Sequence, residues 1–117
     1  MQGRALGMLC AGDPVALGWL LVADRRDVGY IVCCLGFSVE FGGYDSFIDE
    51  LYVVPNRRRR GFARRALGHA IAELAARGVR AVHLQVERGL VHAQALYRQT
   101  GFVGDERFLL TKRIAGT

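Results

Sequence analysis

The 117-residue sequence contains no apolar run approaching the roughly 20 residues that a membrane-crossing helix needs. Its first residues, MQGRALGMLCAGD, lack the basic start, the continuous apolar centre and the small-residue cleavage site of an export signal. The expectation is a cytoplasmic chain with no membrane contact. Its three cysteines, Cys10, Cys33 and Cys34, are an odd number, and the adjacent pair would point to opposite faces of a strand, so no disulfide framework is expected. His69, His83 and His92 fall in separate segments and form no metal-ligand spacing with those cysteines, so no metal is expected either. No repeat, linker or low-complexity stretch divides the chain. Residues 1–117 are read as one domain, long enough to bury a single core and to carry one site.

What is present is positive charge in one place. The formal net charge is +5, and Arg57, Arg58, Arg59, Arg60, Arg64 and Arg65 supply six of the sixteen basic residues within nine positions. Such a cluster calls for an anion. It can be a nucleic-acid grip, a solvated face or the wall of a smaller anion site. A nucleic-acid module should spread its cations along a face with aromatic groups between them. Here only Phe62 sits within the run, and Asp49 and Glu50 would be left without a role.

The order of elements narrows the choice. Ala5, Leu6 and Leu9 suggest a weak helix over 2–11, ended by Gly12-Asp13-Pro14. ALGWLLVA reads as a strand, Asp24 to Asp27 as a hairpin turn, and VGYIVCCLGFSVEF as a long strand. A second turn at Gly42-Gly43 leads to the strand SFIDELYVVP, stopped by Pro55. From Gly61 the period becomes helical, with Ala63, Ala66, Leu67, Ala70, Ile71 and Leu74 on one side and Gly78 as the stop. VRAVHLQV is then a strand, GLVHAQALYRQTGF a helix closed by Gly101, and RFLLTKRI a final strand. The fold class is α/β, with strands and helices packed in layers.

A strand that stops, a glycine-containing loop and a helix that begins at once bring backbone N–H groups and the helix dipole together on a phosphate. In RRRRGFA, Gly61 lets the backbone approach a ligand and Ala63 keeps the next contact small. Arg58, Gly61 and Ala63 resemble the R/Q-x-x-G-x-G/A pyrophosphate loop of the GNAT superfamily of N-acetyltransferases. In ALYRQTGF, the spacing of Tyr97, Gly101 and Phe102 is similar to that family's LY-x-x-x-GF signature. The resemblance covers residues 15–113. FIDELYVVPNRRRRGFA is most similar to the polyamine-type branch, where two acidic residues precede the end of the cofactor strand.

That resemblance implies a mixed, mostly antiparallel sheet with flanking helices, in an N-terminally short version. It also implies acetyl-CoA as acyl donor and a primary amine as acceptor, on a small cationic molecule or on a protein or peptide. Cofactor binding then falls to Leu51, Tyr52, Val53, Arg58, Arg59, Arg60, Gly61, Phe62, Ala63 and Arg64. Two positions depart from the family: only one short helix is expected before Trp19, and Leu90 stands where an asparagine commonly holds the pantetheine arm. A missing N-terminal wall makes a homodimer the expected assembly.

Acetyl transfer to an amine requires a base, an oxyanion donor and an acid for the leaving thiolate. An alkylammonium with a pKa of about 10.4 is charged at neutral pH, and the candidate bases are Asp49 and Glu50. Side chains alternate along a strand, so the two point to opposite faces unless the strand bulges. The family likeness puts both at the acceptor amine, with Asp49 matching the base position and Glu50 its acidic neighbour. Tyr97 reads as a core aromatic by spacing alone and as the general acid within LYRQTGF. Main-chain N–H groups around Leu51 to Val53 are the candidate oxyanion donors. A non-catalytic acyl-CoA-binding member of the family is the alternative that Leu90 and the short N-terminus favour.

Overall fold

Among the described residues five strands form one sheet in the spatial order β1-β2-β3-β4-β5: β1 is Gln2–Ala5, β2 Ala16–Ala23, β3 Arg26–Ser38, β4 Gly43–Val53 and β5 Val79–Leu84. Two helices follow the meander, α1 at Phe62–Ala76 and α2 at Val91–Gln99. The computed structural model describes residues 2–5 as backbone, and 16–105 and 107–115 with their side chains.

Local chemistry explains the connections. Asp24 and Arg25 have φ of 52° and 64°, the paired positive values of a two-residue primed turn, whose twist matches that of a hairpin and aligns Ala23 with Arg26. The β3–β4 turn closes with Gly42 at φ 70° and its amide donating to the Ser38 carbonyl at 2.9 Å. β4 and β5 run parallel, and α1 is the crossover that parallel strands require.

Helix α1 buries Ala66, Leu67, Ala70 and Leu74, a stripe at helical spacing. Leu67, Ala70 and Leu74 pack with Trp19, Ile31, Cys33 and Ile48, and Tyr97 and Phe102 join the same cluster. Both helices therefore lie on one face of the sheet. Leu67 and Leu74 are fully buried, each contributing about 1.5–3 kcal/mol through removal from water. Burial also pushes the Cys33 thiol up to about 11, so it stays an unreactive part of this core. None of the helices among the described residues is long and apolar enough to cross a membrane.

Gly29 sits where β3 meets the end of β4. A Cβ at this position would lie 2.1 Å from the Tyr52 carbonyl oxygen, a backbone atom that cannot swing aside. Gly29→Ala should lower unfolding stability by about 1–3 kcal/mol, the usual cost of overpacking. Urea titration checks this, and an unchanged midpoint would mean that the strands are not so closely apposed.

Two sequence expectations need correction. Residues 2–5 form a strand, not the start of a helix: Gln2 to Ala5 pair antiparallel with Val22 to Trp19, and tertiary pairing overrides a weak local pattern. The remainder of the expected helix, 6–11, lies outside the described residues. RFLLTKRI is not a strand. A strand exists only by virtue of a neighbour, and among the described residues none pairs with 107–114. Instead Arg107 is held by Glu40 at 2.8 Å, with its amide bonded to Asp105 Oδ1 at 2.9 Å.

Candidate active site

The site begins with a fault in the β3–β4 register. Val32 aligns with Glu50, but Cys33 aligns with Ile48, so Asp49 is an extra residue on β4. Such a bulge breaks the strict alternation of faces. Glu50 accepts a hydrogen bond from the Tyr30 hydroxyl, and Asp49 Oδ2 accepts one from the Cys34 thiol at 3.2 Å. Tyr30 and Cys34 are four residues apart on β3 and share a face. Both carboxylates therefore lie on the face away from the helices, where alternation alone would have separated them.

The same bulge opens the sheet. Parallel pairing of β4 with β5 ends at Ile48–Leu84, immediately before Asp49, whereas β4 runs on to Val53. Leu51, Tyr52 and Val53 remain paired with β3 at Ile31, Tyr30 and Gly29, and their other edge is clear of β5. A strand edge with free N–H and C=O groups can bind an extended amide-bearing chain or turn a donor towards an oxyanion. Glu50 and Asp49 stand at the mouth of this parting.

Beyond β4 the chain makes a short 3-10 turn at Pro55–Arg57 and reaches α1 through Arg58 to Gly61. Gly61 has φ 84° and precedes a helix with no side-chain cap and no acidic residue in its first turn. A Cβ placed on Gly61 would meet nothing within 4 Å. The glycine is thus required by its backbone conformation and faces open space, and the unpaired amides at the start of α1 suit a pyrophosphate. Phe62 and Ala63 are half-buried against the cluster of Leu21, Val28, Val53 and Ala66, which anchors this first turn.

The arginines have separate fates. Arg57 pairs with Asp24 across the β2–β3 turn at 3.0 Å. Arg58 folds back, its Nε donating to the Val53 carbonyl at 2.8 Å and its guanidinium lying 5.5 Å from the Tyr52 ring centroid, so it ties the loop to the end of β4. Arg64 donates to Gln99 Oε1 and links α1 to α2. Arg59 and Arg60 are exposed and have no hydrogen-bonding or ionic partner among the described residues; Arg59 has φ 62°. The run is therefore not one continuous cationic face.

Tyr97 projects from α2 against the core, with its ring 6.0 Å from Phe102, and burial pushes its hydroxyl above the ordinary phenol range. No described residue hydrogen-bonds that hydroxyl. It borders a cleft of about 420 Å³ with Val82, Leu84, Gln94 and Phe102. Leu90 caps α2 without a side-chain bond and is 51% exposed. Gln94 ties the neighbouring loop through the carbonyls of Glu87 and Arg88 at 3.0 and 2.6 Å.

The sequence reading missed Tyr30 and Cys34, the partners of the two carboxylates. Their spacing of four signals a shared face, but only the strand register shows what lies opposite. The bond to Glu50 is the largest cause of a raised Tyr30 pKa; for Cys34 burial comes first and Asp49 second. Asp45 and His83, 3.2 Å apart and flanked by Phe41 and Phe47, were missed as well. Among the described residues no group of His, Cys, Asp and Glu is arranged to hold a metal ion.

Known structures share this architecture. A crystal structure of integron cassette protein HFX_CASS3, from the mobile metagenome of Cole Harbour Salt Marsh, is 34% identical, with a TM-score of 0.79 over 91% of this chain and 65% of its own. This chain thus spans just under two thirds of that protein's length. AAC(6')-Iy, solved with the bisubstrate analog CoA-S-monomethyl-acetylneamine, is 17% identical, with a TM-score of 0.75 over 88% of this chain and 72% of its own. Ribosomal-protein-alanine N-acetyltransferase from Brucella melitensis biovar Abortus 2308 is 19% identical, with a TM-score of 0.73 over 87% and 74%. Among curated protein sequences, none matches the chain significantly. The model of the acetyltransferase (GNAT) family matches residues 6–102, and the chain belongs to that family.

Proposed function

We propose that the chain is an acetyl-CoA-dependent N-acetyltransferase that acts on a primary amine of a small cationic molecule, as a homodimer. The observation that carries this reading is the bulge at Asp49: it falls where β4 parts from β5 and leaves two carboxylates on one face at the opening. Two acidic groups beside Tyr30 and Tyr52, whose rings are 5.6 Å apart, suit a cationic, partly apolar amine better than a neutral one. The likeness of FIDELYVV to the polyamine-type branch supports the same acceptor class, and AAC(6')-Iy was solved with an analog that joins CoA to acetylneamine, an amine-bearing small molecule. A protein or peptide amine, the acceptor implied by the name of the Brucella melitensis enzyme, shares the chemistry but offers fewer charges to two carboxylates.

In this reading the amides at the start of α1 hold the pyrophosphate, and the free edge of Leu51 to Val53 holds the pantetheine arm. Acetyl-CoA supplies an activated acyl group. Asp49 or Glu50, directly or through water, takes the proton that the acceptor ammonium must lose. The amine nitrogen then forms a bond to the acyl carbon, the bond from that carbon to sulfur breaks, and backbone N–H groups of the β4 edge face the developing oxyanion. Tyr97 gives its proton to the departing sulfur. Its raised pKa keeps it protonated across the neutral range.

Tyr97→Phe should lower kcat by about 10–100-fold and leave acetyl-CoA affinity near the wild-type value. Tyr97 acts as its protonated form, so the alkaline limb it governs should lie above pH about 10, the ordinary phenol value, and vanish in the variant. Steady-state rates over pH, with acetylated product measured by mass spectrometry, check this. An unchanged kcat would remove Tyr97 from the mechanism. Acetyl-CoA binding without product from polyamines, aminoglycosides or peptides would favour a non-catalytic acyl-CoA binder.

A further inference from the structure

The sheet face turned away from the helices carries more than the two carboxylates at the opening. Asp45 and Phe47 stand at alternate positions on β4, aligned with Gly36 and Cys34, and Phe47 is aligned in turn with His83 on β5. Aligned residues share a face, and Cys34 is the residue that bonds Asp49. From the opening inwards this face therefore presents a carboxylate, an aromatic ring and a second carboxylate. Four residues at about 3.3 Å each put Asp45 about 13 Å from Asp49.

Asp45 is held in a defined place. Its Oδ2 lies 3.2 Å from His83 Nε2, and its side chain is only 16% exposed. An imidazole N–H that donates to a carboxylate orients it and leaves its charge in place. Room for the other oxygen comes from β3: a Cβ on Gly36 would lie 2.9 Å from Asp45 Oδ1, so the glycine leaves the space that the carboxylate uses. The Phe47 and Phe41 rings stand 4.9 and 5.5 Å from the His83 ring, and the two phenylalanines are 39% and 41% exposed. Open aromatic rings beside an oriented carboxylate suit an alkylammonium, whose charge meets the carboxylate while its methylenes lie on the rings. Arg80 and Arg107 border the same groove but are engaged elsewhere, Arg80 with the Gly42 carbonyl at 3.3 Å and Arg107 with Glu40 at 2.8 Å.

We propose that Asp45, oriented by His83, is a second cation site that holds the far end of the acceptor and selects linear aliphatic diamines and polyamines with charges about 13 Å apart. With the far ammonium on Asp45 and the methylenes along Phe47, the near amine arrives beside Asp49 at the gap that opens after Ile48 and Leu84. Neither Asp45 nor His83 touches the reacting atoms: Asp45 sets specificity and His83 is a positioning residue. The proposal rests on the acetyl-transfer reading above and narrows its acceptor.

The test compares α,ω-diaminoalkanes of four to twelve carbons with monoamines of the same lengths, using acetyl-CoA and the full chain. In the wild type kcat/KM should peak at about eight to ten carbons, the length that spans about 13 Å. There it should exceed the matching monoamine by about 10–100-fold, the usual worth of a charge-assisted hydrogen bond. Asp45→Asn should bring the long diamine down to the level of the monoamine through KM and not through kcat. His83→Ala should do so in part, and His83→Gln, which keeps a donor, should restore most of the difference. Equal kcat/KM for diamines and monoamines in the wild type overturns the second site, whether or not any variant folds. A length preference that survives Asp45→Asn, with an unchanged circular dichroism spectrum, also overturns it and leaves the pair a structural one. Calorimetric titration of 1,8-diaminooctane with CoA present separates this proposal from the transfer reading. Binding that Asp45→Asn weakens, without acetyl transfer to any amine, supports the cation site and overturns the transfer; transfer without a length preference does the reverse.

Discussion

Of Glu50→Gln and Asp49→Asn, the one that removes the base should lower kcat for acetyl transfer by about 10²–10⁴-fold, the usual contribution of a positioned base, and both should leave acetyl-CoA affinity within about twofold of wild type. Both substitutions keep the shape of the side chain and remove its charge. Glu50 is held by the Tyr30 hydroxyl and Asp49 by the Cys34 thiol, so neither carboxylate is free to turn away from the opening between β4 and β5. The two are expected to differ in how they fail. Loss of the base lowers kcat for every acceptor, whereas loss of its neighbour mainly raises KM for a multiply charged acceptor and spares a singly charged one. Tyr30→Phe, which frees Glu50 without changing its charge, should have a smaller effect than Glu50→Gln. Steady-state kinetics on the four proteins, wild type included, separate these outcomes. If both carboxylate variants kept the wild-type rate, the acceptor face would lie elsewhere.

The second large effect concerns the cofactor. Gly61→Ala should weaken acetyl-CoA binding by about tenfold or more, whereas Arg57→Ala should change it by less than about twofold. Gly61 has φ 84°, a conformation that costs an L-residue about 1–2 kcal/mol, and its open side is where a methyl group would meet the pyrophosphate. A loop that relaxes to relieve this strain must be returned to the φ-positive conformation on binding, and about 1–2 kcal/mol spent there corresponds to about a factor of 5–30 in affinity. Arg57 is occupied with Asp24 on the surface, a pair worth about 0–1 kcal/mol to stability and nothing directly to the cofactor. Calorimetric titration of acetyl-CoA into both variants is the check. If Arg57→Ala cost more than Gly61→Ala, charge and not backbone geometry would hold the phosphates.

Both predictions come from features of unequal visibility in the sequence. Gly61 was legible because a positive φ at a helix start leaves a glycine after a strand end, and the helical period begins one residue later. The order of meander, helix, strand and second helix was legible for the same reason, since its turns and periods are local, whereas the parallel pairing of β5 with β4 is seen only in the register. The relation between Asp49 and Glu50 was not. Two adjacent residues on a strand alternate by rule, and the exception arises from a register that Val32 and Cys33 on another strand impose. β1 was misread because four residues cannot express a period, and their hydrogen bonds are made by Trp19 to Val22. RFLLTKRI was read as a strand on composition, which records what a segment can pair with and not whether a partner stands beside it. The arginine run was divided in the sequence reading only by its likeness to the family loop, which leaves Arg57 out, and not by the partners that each side chain finds. Arg57 is bound to a turn, Arg58 to the end of β4 and Arg64 to α2, and no feature of RRRR distinguishes these fates.

A crystal structure with acetyl-CoA tests the central claim most directly. The expected result has the pyrophosphate on the amides following Gly61, the pantetheine arm along Leu51 to Val53, and the thioester in the gap that opens after Ile48 and Leu84, with the carboxylates of Asp49 and Glu50 both on the side from which an amine can approach. An acyl group bound away from that gap, or carboxylates turned to the opposite face from it, would contradict the proposed site.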